Sequence, residues 1–280
     1  MIKNIVRKIG HIVNKIKIVW PNIIYAKSKN EGRKLYRILV PYYRFRVWYP
    51  FWFFILNRKS RLLYQENNSD QKLTLSQENT INDFKKYGIA FTDLESLFPD
   101  EPVLKRLQEY SYTLYGNARR RTKAKSYLVD LWDKWPILDS KNPFLSLILD
   151  SAVLNIVNAY MGMWSKFFFL TLAIATPVPR GSQPVSSQTW HRDPEDRKMC
   201  KVFIYLGDVD ENSGPFIYVK GSHYSGRLGK LFPQKPPRGC SPPLGALENT
   251  VSKEDVITAV GKAGTVIFCD TSGLHKGGYA

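Results

Sequence analysis

The chain has 280 residues, 44% of them hydrophobic and 14% aromatic, enough for one large domain with an appendage. Its formal charge of +17 is concentrated at one end: between Met1 and Gln65 fifteen lysines and arginines face a single acid, Glu31, and the remainder is close to balanced. Three widely spaced cysteines without a CxxC pair (Cys200, Cys240, Cys269) argue against a disulfide framework and a zinc ribbon, and reduced thiols fit a cytoplasmic location.

Residues 1–65 read as a separate basic, aromatic-rich segment. Ile2, Ile5, Val6, Ile9, Ile12, Val13 and Ile16 recur at helical spacing among lysines and arginines, which predicts a basic amphipathic helix. The apolar run VWYPFWFFIL (47–56) is flanked by Arg44, Arg46, Arg58 and Lys59. It falls well short of the roughly 20 residues needed to span a bilayer. No small-residue cleavage site follows the first apolar stretch, which argues against a secretory signal. Three roles stay open for this segment. It is a helical layer packed on the main domain, a peripheral contact with an anionic membrane surface, or a nucleic-acid contact, the last disfavoured by the lack of any nucleic-acid motif.

The polar stretch 66–78 reads as a linker, and residues 79–280 as the main domain. Within it, INDFKKYGIAFTDLESLF predicts a helix, a strand over 88–92 and a short second helix. Leu104, Leu107, Tyr110 and Leu114 mark a helix over 101–115, and the apolar spacing over 143–161 predicts another. The period then changes. FFFLTLAIAT (167–176), QTWH (188–191), KVFIYL (201–206), PFIYV (215–219) and TVIFCD (265–270) are short β-rich runs parted by Gly, Pro, Asn and Ser. The fold class is therefore mainly β with flanking helices, a sandwich or jelly roll. SKEDVITAV (252–260) interrupts the strands as an expected helix, with Ser252 as N-cap.

The segment WHRD carries the chemistry. His191 and Asp193 are two residues apart at a strand end, so both side chains project from one side of the backbone. Two imidazoles and one carboxylate form the facial triad of non-haem iron(II) oxygenases, which leaves positions open for a cosubstrate and dioxygen. The chain has four histidines, and His275 and His223 compete for the third place.

The ordered set WHRD, KVFIYL, DVDENSGPFIYVKGSH and GKAGTVIFCDTSGLHKGG resembles the phytanoyl-CoA dioxygenase-like family over about Ile81 to the C-terminus. The resemblance implies a double-stranded β-helix, or cupin-like jelly roll, with Fe(II) held by His191, Asp193 and His275, and 2-oxoglutarate and O2 as cosubstrates. His223 then falls in a structural GSH corner. The implied activity is hydroxylation of a small organic or lipid-like substrate, and the retained Asp193 favours hydroxylation, desaturation or epimerisation over halogenation. Family members carry an arginine for 2-oxoglutarate about ten residues after the late histidine, whereas this sequence stops at Ala280. The domain is accordingly expected to be truncated at its C-terminus, with Lys201 as a candidate substitute and a surface lysine as the default reading of it. Two other outcomes follow from the same residues: a catalytically silent jelly-roll binding module, or a membrane-peripheral protein acting through its basic N-terminus. Substrate-facing lids are expected at 177–187 and 230–248, with Arg180, Arg192, Lys235 and Arg238 as solvated loop charges by default.

Overall fold

The structure is a computed structural model that describes residues 40–67, 72–120, 125–132, 139, 141–179, 181–234 and 239–280. The amphipathic helix expected over 2–16, and Arg180, Lys235 and Arg238, lie outside the described residues.

After a helical stretch over 40–47 the aromatic run forms a π-helical turn, Phe51–Leu56, which leads into helix α1 (Arg58–Asn67). Helix α2 (Leu75–Tyr87) starts inside the polar run read as a linker. Thr74 caps it, accepting from the Gln77 N–H, while the Gln77 side chain accepts from the Thr74 N–H. Gly88 ends it in the left-handed region at φ 74°. Strand β1 (Ile89–Asp93) follows, then α3 (Leu94–Leu97), capped by Asp93, and α4 (Val103–Thr113). Beyond the short strands β2 (Arg119–Arg120) and β3 (Leu128–Asp130), the single helix expected over 143–161 is two. These are α5 (Pro143–Leu149) and α6 (Ser151–Met161), bent by 49°. Asp150 causes the break: its extended backbone leaves the helix, and its carboxylate accepts the Ala152 N–H to start α6.

Of the run 167–176, only β4 (Ala173–Ala175) is strand, and Phe167, Phe168 and Phe169 are exposed. QTWH is not a strand either; it is a 3-10 turn, Ser186–Gln188, followed by an isolated bridge at His191. Strands β5 (Lys201–Ile204), β6 (Phe216–Val219), β7 (Val256–Ala259), β8 (Thr265–Cys269) and β9 (His275–Gly277) complete the described elements. The helix expected over 252–260 is a 3-10 turn, Lys253–Asp255, followed by β7. Ser252 does cap the turn, but the β-branched Val256, Ile257 and Thr258 favour the strand, and β6 offers it a partner.

The strands form three antiparallel sheets in the orders β1-β8-β5, β2-β3-β4 and β7-β6-β9. Strand β8 is central and buried on both faces, so its sequence reads as an unbroken apolar run. Val266 and Phe268 pack on the helices with Phe84, Leu107 and Ile156, while Ile267 and Cys269 face Tyr218 and Ala259 of the β6 sheet. Lys201 pairs with Cys269, which puts the lysine on that second, inner side. Among the described residues no helix is long and apolar enough to cross a membrane alone; only the bent pair α5–α6 passes on length and composition, and its apolar face lies in the core.

Candidate metal centre

The site is set by main-chain pairing. His191 N–H donates to the His275 carbonyl at 2.9 Å, and His275 N–H returns the bond at 3.0 Å. Two residues on, Asp193 N–H donates to the Thr271 carbonyl at 2.9 Å. Segment 191–193 thus lies antiparallel to the exit of β8 and the start of β9, and three side chains distant in sequence meet.

Both imidazoles are oriented the same way. Nδ1 of His191 lies 2.8 Å from the Thr189 carbonyl, and Nδ1 of His275 lies 2.9 Å from the Gly273 carbonyl. A carbonyl only accepts, so each Nδ1 carries the proton and each Nε2 keeps its lone pair. Those Nε2 atoms sit 3.8 Å and 3.6 Å from the two oxygens of Asp193. One donor atom from each residue falls within 4.8 Å of the others, a spacing that one ion bridges. Burial pulls the His191 imidazole down, and burial together with His191 pulls His275 down to about 3. Burial pushes the Asp193 carboxyl up, but His275 and Lys201 outweigh it and hold it below the ordinary carboxylate range. Two neutral imidazoles and one carboxylate suit a divalent first-row cation.

Lys201 is not the surface lysine that default reasoning suggests. Its ammonium donates to Asp193 Oδ2 and lies 5.6 Å from the centre of the Phe169 ring. Glu195 also belongs to this neighbourhood: its Oε2 is buried without a hydrogen-bond partner, and burial and Asp193 push its carboxyl up. His223 stands apart from the cluster, 1% exposed in the GSH corner.

Arg192 departs most from its expected place. It is 2% exposed, and its guanidinium donates to the carbonyls of Ser222, Ser272 (2.6 Å), Leu231 (2.7 Å), Phe232 (2.9 Å) and Leu228 (3.4 Å). Phe232 holds a left-handed φ of 44° where its carbonyl meets Arg192. The residue between His191 and Asp193 is therefore a clamp on loop 222–232 and on the Ser272 turn. A cation inside an HxD tripeptide is the signal that sequence reasoning passed over.

Loop 177–187, expected as a lid, borders a cavity of about 270 Å³ lined among others by Tyr127, Thr176, Val178, Gln183 and Gln188. Gln188 is 3% exposed, and its Nε2 has no hydrogen-bond partner.

The profile of the family described as phytanoyl-CoA dioxygenase (PhyH) matches residues 116–279. No curated protein matches the chain in sequence. Among solved structures, EctD from S. alaskensis with 2-oxoglutarate and 5-hydroxyectoine is similar at 14% identity over 75% of this chain and 74% of that one, TM-score 0.50. The epimerase SnoN in complex with Fe3+, alpha ketoglutarate and nogalamycin RO matches at 13% identity over 72% and 77%, TM-score 0.48. AviO1 from Streptomyces viridochromogenes Tue57 matches at 17% identity over 74% and 90%, TM-score 0.41. The likeness to EctD is one of fold. The profile match covers more than half of the chain and takes in His191, Asp193 and His275, and the chain belongs to the phytanoyl-CoA dioxygenase family of iron- and 2-oxoglutarate-dependent oxygenases.

Proposed function

We propose that the chain is a non-haem Fe(II)/2-oxoglutarate-dependent dioxygenase that hydroxylates a small organic or lipid-like substrate, with His191, Asp193 and His275 as the metal ligands. The observation that carries this reading is the orientation of the triad: a half-buried and a buried imidazole, each with Nδ1 tied to a carbonyl, turn their free Nε2 atoms toward one carboxylate. The three sheets belong to a jelly-roll (double-stranded β-helix) catalytic domain. That domain takes in α2 from its cap at Thr74, because Ile81 and Phe84 lie in the core with β8. Residues 1–65 are its basic appendage.

When bound, iron with 2-oxoglutarate and dioxygen supplies the oxidising power for a C–H bond, and 2-oxoglutarate leaves as succinate and carbon dioxide. The chain supplies position and charge. Asp193 neutralises part of the ion's charge, and the two backbone carbonyls fix the imidazole planes. Lys201, the cation nearest the triad on the inner face of β5, is the partner for an anionic cosubstrate carboxylate. The cavity beside loop 177–187 is the space for substrate, next to the turn that leads into His191.

Anaerobic titration with Fe(II) and 2-oxoglutarate tests this through the weak metal-to-ligand absorption band of the ternary complex. A band that appears with wild type and vanishes in His191→Ala is expected. No band with wild type, or an undiminished band in the variant, overturns the reading. One observation favours a catalytically silent jelly-roll module, the Lys201 ammonium seated on Asp193. Iron binding without the band is the outcome that would select it.

A further inference from the structure

Three aromatic residues anchor the N-terminal segment to the domain. Tyr43, Trp52 and Tyr64 are 7%, 5% and 8% exposed. Trp52 Nε1 donates to Asp196 at 2.8 Å, Arg46 pairs with the same carboxylate at 2.9 Å, and Arg197 donates to the Val47 carbonyl at 2.9 Å. Further along, Ser60 Oγ donates to the Trp164 carbonyl at 2.6 Å, and Tyr64 meets Trp164 edge to face. That suffices to hold a structural layer. The opposite side of the segment is nevertheless apolar and bare: Trp48 is 56% exposed, Phe54 55% and Ile55 67%. Phe45, Phe51 and Trp48 stack, Tyr49, Phe53 and Phe54 form a second group, and Arg61 covers Phe53 at 4.1 Å. A few residues past Trp164, Phe167, Phe168 and Phe169 are also exposed, and the Phe169 ring lies 5.6 Å from the Lys201 ammonium.

We propose that this aromatic face, formed by residues 45–56 and 164–169, docks on an anionic lipid bilayer. Charge decides among the occupants. Arg44, Arg58, Lys59 and Lys166 are exposed beside the face. Glu66 is the only acid over 40–67, and there is none over 164–172. Residues 1–39 hold ten lysines and arginines against Glu31, the same sign of charge as the cations beside the face. A second copy would bring the same positive charge to itself. An anionic surface with an apolar interior satisfies both properties: indole, phenol and phenyl rings enter the headgroup boundary while the cations meet lipid phosphates and carboxylates. Exposed aliphatic Ile55 and Leu56 suit acyl chains and not stacked nucleobases. The docked face ends at Phe169, beside Lys201, so the bilayer lies along the edge of the candidate metal centre.

The test uses the full chain without metal, so its result does not depend on the catalytic reading. Vesicles of phosphatidylcholine alone are compared with vesicles containing about one third phosphatidylserine. Co-sedimentation is expected with the anionic vesicles only, weakening as salt is raised from about 0.1 M to about 1 M, where the screening length falls from about 10 Å to about 3 Å. The triple variant Phe54→Ser, Ile55→Ser, Phe168→Ser is expected to lower partitioning on the order of tenfold and to melt at the wild-type temperature, since all three side chains are exposed. Four results overturn the proposal: wild type that ignores anionic vesicles, a triple variant that partitions like wild type, a wild-type dimer that the variant abolishes, or duplex DNA binding that the variant abolishes.

Discussion

His191 and His275 face each other across a two-way main-chain bridge, each N–H donating to the other's carbonyl, with ring centroids 4.2 Å apart. The places of the two candidate ligands thus follow from backbone pairing, which leaves their side chains available to hold a metal.

Replacing either histidine should remove metal binding and leave the frame. Fe(II) at about a hundred times its dissociation constant should stabilise wild type by about 2.7 kcal/mol in anaerobic denaturant unfolding. His191→Ala and His275→Ala should show no iron-dependent gain. A retained gain in either variant would remove that residue from the ligand set.

Gly273 stands where a side chain has no room. A Cβ there would overlap the Tyr218 hydroxyl, and the Gly273 carbonyl orients the His275 ring. Gly273→Ala should cost about 1–3 kcal/mol of stability. It should also weaken iron binding by about 10–100-fold, as expected where the orienting carbonyl is pushed out of place. Calorimetry of unfolding and an iron titration read the two effects separately.

Arg192→Ala should be strongly destabilising, by about 3 kcal/mol or more, because several buried carbonyls lose their donors together. Arg192→Lys should recover little, since one ammonium does not reproduce the guanidinium fork. Urea midpoints measure this, and a near-neutral Arg192→Ala would refute the clamp.

Lys201→Met should raise the 2-oxoglutarate half-saturation roughly tenfold while iron affinity changes less. The reverse split would make Lys201 a counter-ion of Asp193 only.

Burial holds the His223 imidazole below its ordinary value. The unfolded chain therefore binds this proton below pH about 6.5 while the folded chain does not, so stability is lost as pH falls through that region. His223→Gln should flatten the decline by up to about 1.4 kcal/mol per pH unit. Parallel wild-type and variant curves between pH about 6.5 and 5 would contradict it.

The sequence disclosed much of the frame. Strands β5, β6 and β8 stand out as short β-rich runs, whereas the first turn of the helix Leu75–Tyr87 hides in the polar run read as a linker, and Gly88, expected to open the strand, instead ends that helix. The triad was legible because HxD has a fixed geometry, but the choice between His275 and His223 needed the family pattern, since topology alone brings β9 beside 191. Two of the misses share one cause. Segment 252–260 and QTWH were assigned on local pattern, whereas pairing with β6 and with His275 decided both. Arg192 looks like a solvated charge in a string of letters, and only the path of loop 222–232 buries it, while the register of β5 against β8 brings the half-buried Lys201 to Asp193.

The central place of β8 also bears on how the chain is made. Its partners β1 and β5 are translated first and do not pair with each other, so each presents an open edge until residues 265–269 arrive between them. The turn that follows brings the carbonyls of Thr271, Ser272 and Gly273 that position Asp193, Arg192 and His275. Between the synthesis of residue 204 and that of residue 265 a nascent chain therefore holds half of the candidate metal site and two unsatisfied edges, a state that favours chaperone engagement.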